Sequence, residues 1–97
     1  MRPPAVMSRE TFPSNEHALS RVRVVRFHVR SAESAPVVVE LISPAGTVYR
    51  HVEVEAPGVT DLQVAGTEVE QRQLAGTWRA ALFDQGVRTE MEFELTP

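Results

Sequence analysis

Leu74 to Leu95 reads Leu-Ala-Gly-Thr-Trp-Arg-Ala-Ala-Leu-Phe-Asp-Gln-Gly-Val-Arg-Thr-Glu-Met-Glu-Phe-Glu-Leu. Trp78, Ala80 and Leu82 share one phase before Asp84-Gln85-Gly86. Val87, Thr89, Met91, Phe93 and Leu95 share one phase after it, alternating with Arg88, Glu90, Glu92 and Glu94. Successive strand side chains point to opposite sides, so alternation on both flanks of a Gly-containing turn is the pattern of a β-hairpin with one dry and one wet face. The pattern also selects the register. With Gln85-Gly86 as the turn and Asp84 opposite Val87, Trp78 faces Phe93, Ala80 faces Met91 and Leu82 faces Thr89, while Arg79 faces Glu92 on the wet side. A slip of one residue sets Trp78 over Glu92. Trp78, Leu82, Met91 and Phe93 are therefore the expected core.

Working outward, the 97 residues suit one small domain. There is no cysteine, which excludes a disulfide, a thiolate metal site or a cysteine nucleophile. No apolar run approaches the ~18 residues of a membrane span. The N-terminus lacks the apolar core of a signal peptide, so if Met1 is the natural start the chain is expected in the cytoplasm or in an assembled particle. All ten basic residues are arginine. Residues 1–30 carry six of them against Glu10 and Glu16, and residues 31–97 carry four against eleven acids. The net charge of −3 is not the field of a general nucleic-acid binder.

Residues 1–17 hold Pro3, Pro4 and Pro13 with Ser8, Ser14 and Asn15 and show no sustained period, so they read as an extended arm. Residues 18–97 read as the folded domain. Ala18 to Arg30 is the first strand, with a phase flip at Val24-Val25 that suggests a bulge or a crossing between sheets. Pro36 to Ile42 is a β-branched strand, followed by the turn Ser43-Pro44-Ala45-Gly46. Thr47 to Glu55 returns, with Val48, Val52 and Val54 in the dry phase and Tyr49, His51, Glu53 and Glu55 in the wet one. Arg50 breaks the apolar phase, so its head is expected at the rim. Ala56-Pro57-Gly58 turns into a weak strand at Thr60 to Val64. Thr67 to Leu74, polar apart from Val69, reads as an edge strand or long loop. No helical period is visible. About seven short strands spaced by turn signals predict an all-β, antiparallel two-sheet sandwich, immunoglobulin-like or jelly-roll, with an extended N-terminal arm.

Two stretches carry a resemblance: Glu40-Leu41-Ile42-Ser43-Pro44-Ala45-Gly46-Thr47 and Gly76-Thr77-Trp78-Arg79-Ala80-Ala81-Leu82-Phe83-Asp84. Together they resemble the L-x-S-P-x-G-T and G-T-W-x-L-x-V-x-D pattern of the P-domains that follow the catalytic domain in kexin-like subtilisin proteases. More loosely, they are similar to immunoglobulin-like sandwiches of bacterial surface and macroglobulin-type proteins. The resemblance spans roughly residues 20–95 and implies a non-catalytic accessory module. Where P-domains carry an Asp-containing segment this chain has Ser34-Ala35-Pro36, so a calcium contact is not carried over.

The chemistry-bearing residues are scattered. Ser31, Ser34 and Ser43 lack a nucleophile-elbow signature. His28 and His51, with Glu53 or Glu55, have no spacing that fixes a metal site and read as solvated surface residues. Arg21, Arg23, Arg26, His28 and Arg30 lack interleaved aromatics for base stacking, and their expected partners are Glu90, Glu92 and Glu94 across neighbouring strands. No catalytic, cofactor or metal site is expected. The expected function is a structural or interaction module, an accessory or decoration subunit of a larger assembly or a homo-oligomer. It would dock through its arm (Pro3, Pro4, Val6, Met7, Phe12) and through the exposed aromatics Tyr49 and Phe83. The polar edge at Thr67 to Gln73 is expected to be open to an added partner strand. The alternative is a carbohydrate- or protein-binding accessory domain of an exported enzyme or surface protein.

Overall fold

The computed structural model describes residues 2–97; Met1, the first residue of the expected arm, lies outside them. Seven strands and one helical turn follow in order: β1 (Val6–Phe12), β2 (Val24–Arg30), β3 (Ala35–Ile42), β4 (Val48–Ala56), β5 (Gly58–Gln63), α1 (Glu68–Gln71), β6 (Gly76–Asp84) and β7 (Val87–Leu95). They form two antiparallel sheets, a three-stranded one in the order β1-β2-β5 and a four-stranded one in the order β4-β3-β6-β7. Their apolar faces meet in one core. Val25, Phe27, Val29 and Leu62 enter it from the first sheet; Val37, Val39, Leu41, Trp78, Ala80, Leu82, Phe93 and Leu95 enter from the second.

The β6–β7 hairpin has the register its alternation demands. Trp78 lies opposite Phe93, Ala80 opposite Met91, Leu82 opposite Thr89, and Asp84 opposite Val87. Trp78 has no exposed surface, and its indole Nε1 donates to the Leu74 carbonyl at 2.9 Å, so burial strands no polar atom. The ring stacks on Phe93 at 6.2 Å between centroids, and Phe27 reaches across from the opposite sheet to Phe93 at 5.5 Å. Leu82 and Phe93 are buried; Met91 is half-buried against the same cluster.

The two stretches that carry the resemblance touch each other. Gly76 has φ +130°, and a Cβ there would sit 2.9 Å from the Pro44 Cβ. Gly46, at φ +86°, closes the turn by donating to the Ser43 carbonyl at 2.8 Å. The Pro-x-Gly turn and the Gly-Thr-Trp strand are thus two halves of one joint.

Several expectations are corrected. Residues 6–12 are not an arm but the edge strand β1, paired along its length with β2. Met7 leans on the core, and the lack of a visible period reflects an edge strand whose inner positions Arg9 and Thr11 are only shallowly covered. The strand expected from Ala18 begins at Val24. Arg21 and Val22 both donate to the Ala18 carbonyl at 2.9 Å, so residues 18–22 turn, with Leu19 and Val22 buried. That turn, rather than a bulge, accounts for the change of phase. A register shift does occur between Leu41 and Ile42 against β4. It inverts the start of β4: Val48 is 53 % exposed, while Tyr49, expected outside, turns its ring edge-on to Trp78 at 5.4 Å. Thr67 to Leu74 contains α1, not an edge strand. The Thr67 hydroxyl caps it by accepting from the Val69 N–H, and Val69 is buried.

Two substitutions test this packing by chemical denaturation. Trp78→Ala is expected to cost about 3–5 kcal/mol. Gly76→Ala should cost more than the roughly 1 kcal/mol of an ordinary glycine replacement, because it adds contact with Pro44 to an unfavourable φ.

Candidate interaction surfaces

Strand alternation sorts the polar side chains onto two outer faces. With Val37, Val39, Trp78, Ala80 and Leu82 inward, the four-stranded sheet turns Glu40, Glu53, Glu55, Glu90, Glu92 and Glu94 outward against two guanidinium groups, Arg79 and Arg88. Both arginines attend Glu90, at 3.8 and 2.6 Å. Glu40 meets His51 Nδ1 at 2.8 Å, and Glu94 accepts the Thr77 hydroxyl at 2.8 Å. Among the described residues Glu53, Glu55, Glu92 and Glu94 have no ion-pair partner. Across the middle of this face run Val38 and Phe83, directly opposite each other and half-buried, beside the fully covered Ala81. Arg88 lies over the Phe83 ring at 5.6 Å from its centroid.

The outer face of the three-stranded sheet is paired off instead. Arg26 grips Asp61 through Nε at 2.8 Å and Nη2 at 3.0 Å and lies 5.4 Å from the Phe12 ring centroid. The pair holds the Asp61 carboxyl below its ordinary range. His28 Nε2 meets Glu10 at 2.8 Å. The basic stripe of β2 therefore finds its acids on β1 and β5. It does not meet Glu90, Glu92 and Glu94, as expected from sequence, because β2 and β7 belong to different sheets.

The N-terminal residues are tied down. Arg2 forms a two-pronged bridge to Asp84, with both N–O distances 2.7 Å, and Asp84 also accepts the Ala5 N–H at 2.7 Å. Asp84 occupies the dry phase of β6 and is 7 % exposed, so a carboxylate there requires such partners. Of the residues expected to dock, Pro3, Pro4 and Val6 are exposed, Met7 packs inward, and Phe12 lies half-buried beneath Arg26. Tyr49 belongs to the core margin; burial first, then Glu68, raises its phenol above the ordinary value. Phe83 alone of the two expected aromatics stays on an outer face. The Arg2–Asp84 clamp was missed in the sequence, although an aspartate in phase with Trp78, Ala80 and Leu82 is its signature.

Among the described residues no three His, Asp or Glu side chains converge as a metal site would require. No helix among the described residues is long and apolar enough to cross a membrane. No protein-family model and no curated protein matches the chain.

The clamp makes a pH prediction. Hydrogen bonds from Arg2, then from the Ala5 N–H, hold the Asp84 carboxyl at about 2, below the ordinary value of about 3.9. Its contribution to stability is complete above the ordinary value and disappears as pH falls through about 2. Thermal melts of wild type and Asp84→Asn should differ most near neutrality and converge on acidification. A constant difference down to the acid limit would contradict the assignment.

Proposed function

We propose that this chain is a non-catalytic interaction module of the immunoglobulin-like sandwich type that docks into a larger protein assembly through the outer face of its four-stranded sheet. The observation that carries the reading is the make-up of that face. A central apolar row, Val38 and Phe83, is framed by six glutamates, of which four lack an ion-pair partner among the described residues. An apolar centre with a charged rim is the anatomy of a protein interface, and the sign of the rim selects a basic partner surface. The arm has no part in it, since β1 and Arg2 are engaged by their own domain.

Strand order supports the immunoglobulin-like alternative over the jelly-roll. The first, second and fifth strands lie in one sheet and the third, sixth and seventh in the other, as in immunoglobulin domains; the fourth here joins the third. A jelly-roll would need eight strands. The Pro44–Gly76 joint explains the shared turn and tryptophan motifs as a device of folding, which supports an accessory module rather than an enzyme.

A photo-reactive phenylalanine analogue at position 83, introduced in the source cell, should trap a basic protein. Trapping should be lost when Glu53 and Glu92 are replaced by lysine. Adducts that persist after charge reversal, or that form equally from the exposed position 6 on the other sheet, would refute the face as the docking surface.

A further inference from the structure

β4 and β5 are joined by the turn at Pro57 but belong to opposite sheets, and among the described residues neither has a second neighbouring strand. Diverging from that turn, they enclose an open groove of about 580 Å³, lined among others by Arg50, Glu53, Glu55, Val59 and Asp61. Two contacts fix which way the β5 backbone points. The Asp61 carbonyl accepts Arg50 Nη1 at 3.3 Å, and the Gln63 carbonyl accepts the Thr67 hydroxyl at 2.9 Å. Val64, one residue on, donates instead to Arg23 on the β2 side at 3.0 Å. In an antiparallel strand the N–H and C=O of one residue leave on the same side, and alternate residues face opposite ways. Val59, Asp61 and Gln63 therefore turn their backbone groups toward the groove, while Gly58, Thr60 and Leu62 bond β2. Val59 is also 51 % exposed.

We propose that this groove takes an extended basic peptide, added as a further strand on the free edge of β5. Backbone pairing to Val59 and Asp61 supplies the attachment. Side chains of the added strand that point inward meet Val52, Val54 and Thr60, which line the groove floor and are half-buried or buried. Those at the lip meet Glu53 and Glu55, which have no ion-pair partner among the described residues; the fourth charged side chain, Asp61, is held by Arg26. The fitting sequence alternates small apolar residues with arginine or lysine. Arg50 stands on the Asp61 carbonyl and guards the edge, as charged side chains commonly guard exposed strands. The site shares Glu53 and Glu55 with the rim of the Phe83 face but uses a different backbone edge, so Val59 and Phe83 tell the two apart.

The test uses the purified chain with a labelled peptide of about ten residues alternating valine and arginine, and a valine–glutamate peptide as control. Fluorescence anisotropy should detect the arginine peptide alone, and amide hydrogen exchange should slow at Val59 and Asp61. Arg50→Ala should tighten binding several-fold by clearing the edge. Val59→Pro removes a groove-facing N–H without touching the β2 ladder, and with its melting temperature retained it should weaken binding about tenfold. Glu53→Lys with Glu55→Lys should weaken it likewise, and Phe83→Ala should leave it unchanged. Equal binding of both peptides, protection confined to β1 or β7, or full affinity in folded Val59→Pro would overturn the proposal.

Discussion

The enclosure of a single indole organises this molecule. Trp78 can leave water only because its Nε1–H finds the Leu74 carbonyl and its ring finds Phe93, which in turn meets Phe27 of the opposite sheet. That chain of contacts fixes the β6–β7 register and joins the two sheets. It also leaves the glutamates of β7 facing water. A one-residue slip would reverse all of this, since the side-chain period of a strand is two. Tyr49, turned edge-on to the indole by the register shift at Leu41–Ile42, closes the remaining side.

The same alternation distributes the charge. On the three-stranded sheet, cations and acids alternate between neighbouring strands and neutralise one another, as in Arg26–Asp61 and His28–Glu10. On the four-stranded sheet, β4 and β7 both carry glutamate in the outward phase, and only Arg79 of β6 and Arg88 of β7 itself meet them. One face is therefore close to neutral and the other acidic. Each exposed pair contributes little to stability, so this arrangement adds little to folding.

How much could be read in advance depended on how local each determinant was. The closing hairpin, its register and the outward glutamates were legible because alternation is a property of adjacent residues. Phe83 on an outer face followed from the same rule. Strand β1 was not legible: it is an edge strand with only Met7 leaning on the core, so burial leaves little imprint on its composition. Tyr49 sits on the side opposite to the one its phase suggests because it is itself the residue skipped between the Val48–Ile42 and Arg50–Leu41 pairs, and nothing in Thr47 to Glu55 marks it. Helix α1 is one turn long, and its signs, a capping Thr67 and a buried Val69, are too few to form a period. The Arg2–Asp84 clamp joins residues 82 apart in sequence, and only the oddity of an aspartate in a dry phase hinted at it. The β4–β5 groove arises from which sheet each strand joins, a fact of topology rather than of any stretch.

Because the chain contains one tryptophan, its fluorescence reports on the central claim without substitution. The folded protein should emit to the blue of its unfolded state and resist quenching by acrylamide, both changing in one cooperative transition with the loss of β-sheet. Emission already at the unfolded position, or quenching as easy in the folded state as in denaturant, would contradict the buried indole on which this architecture depends.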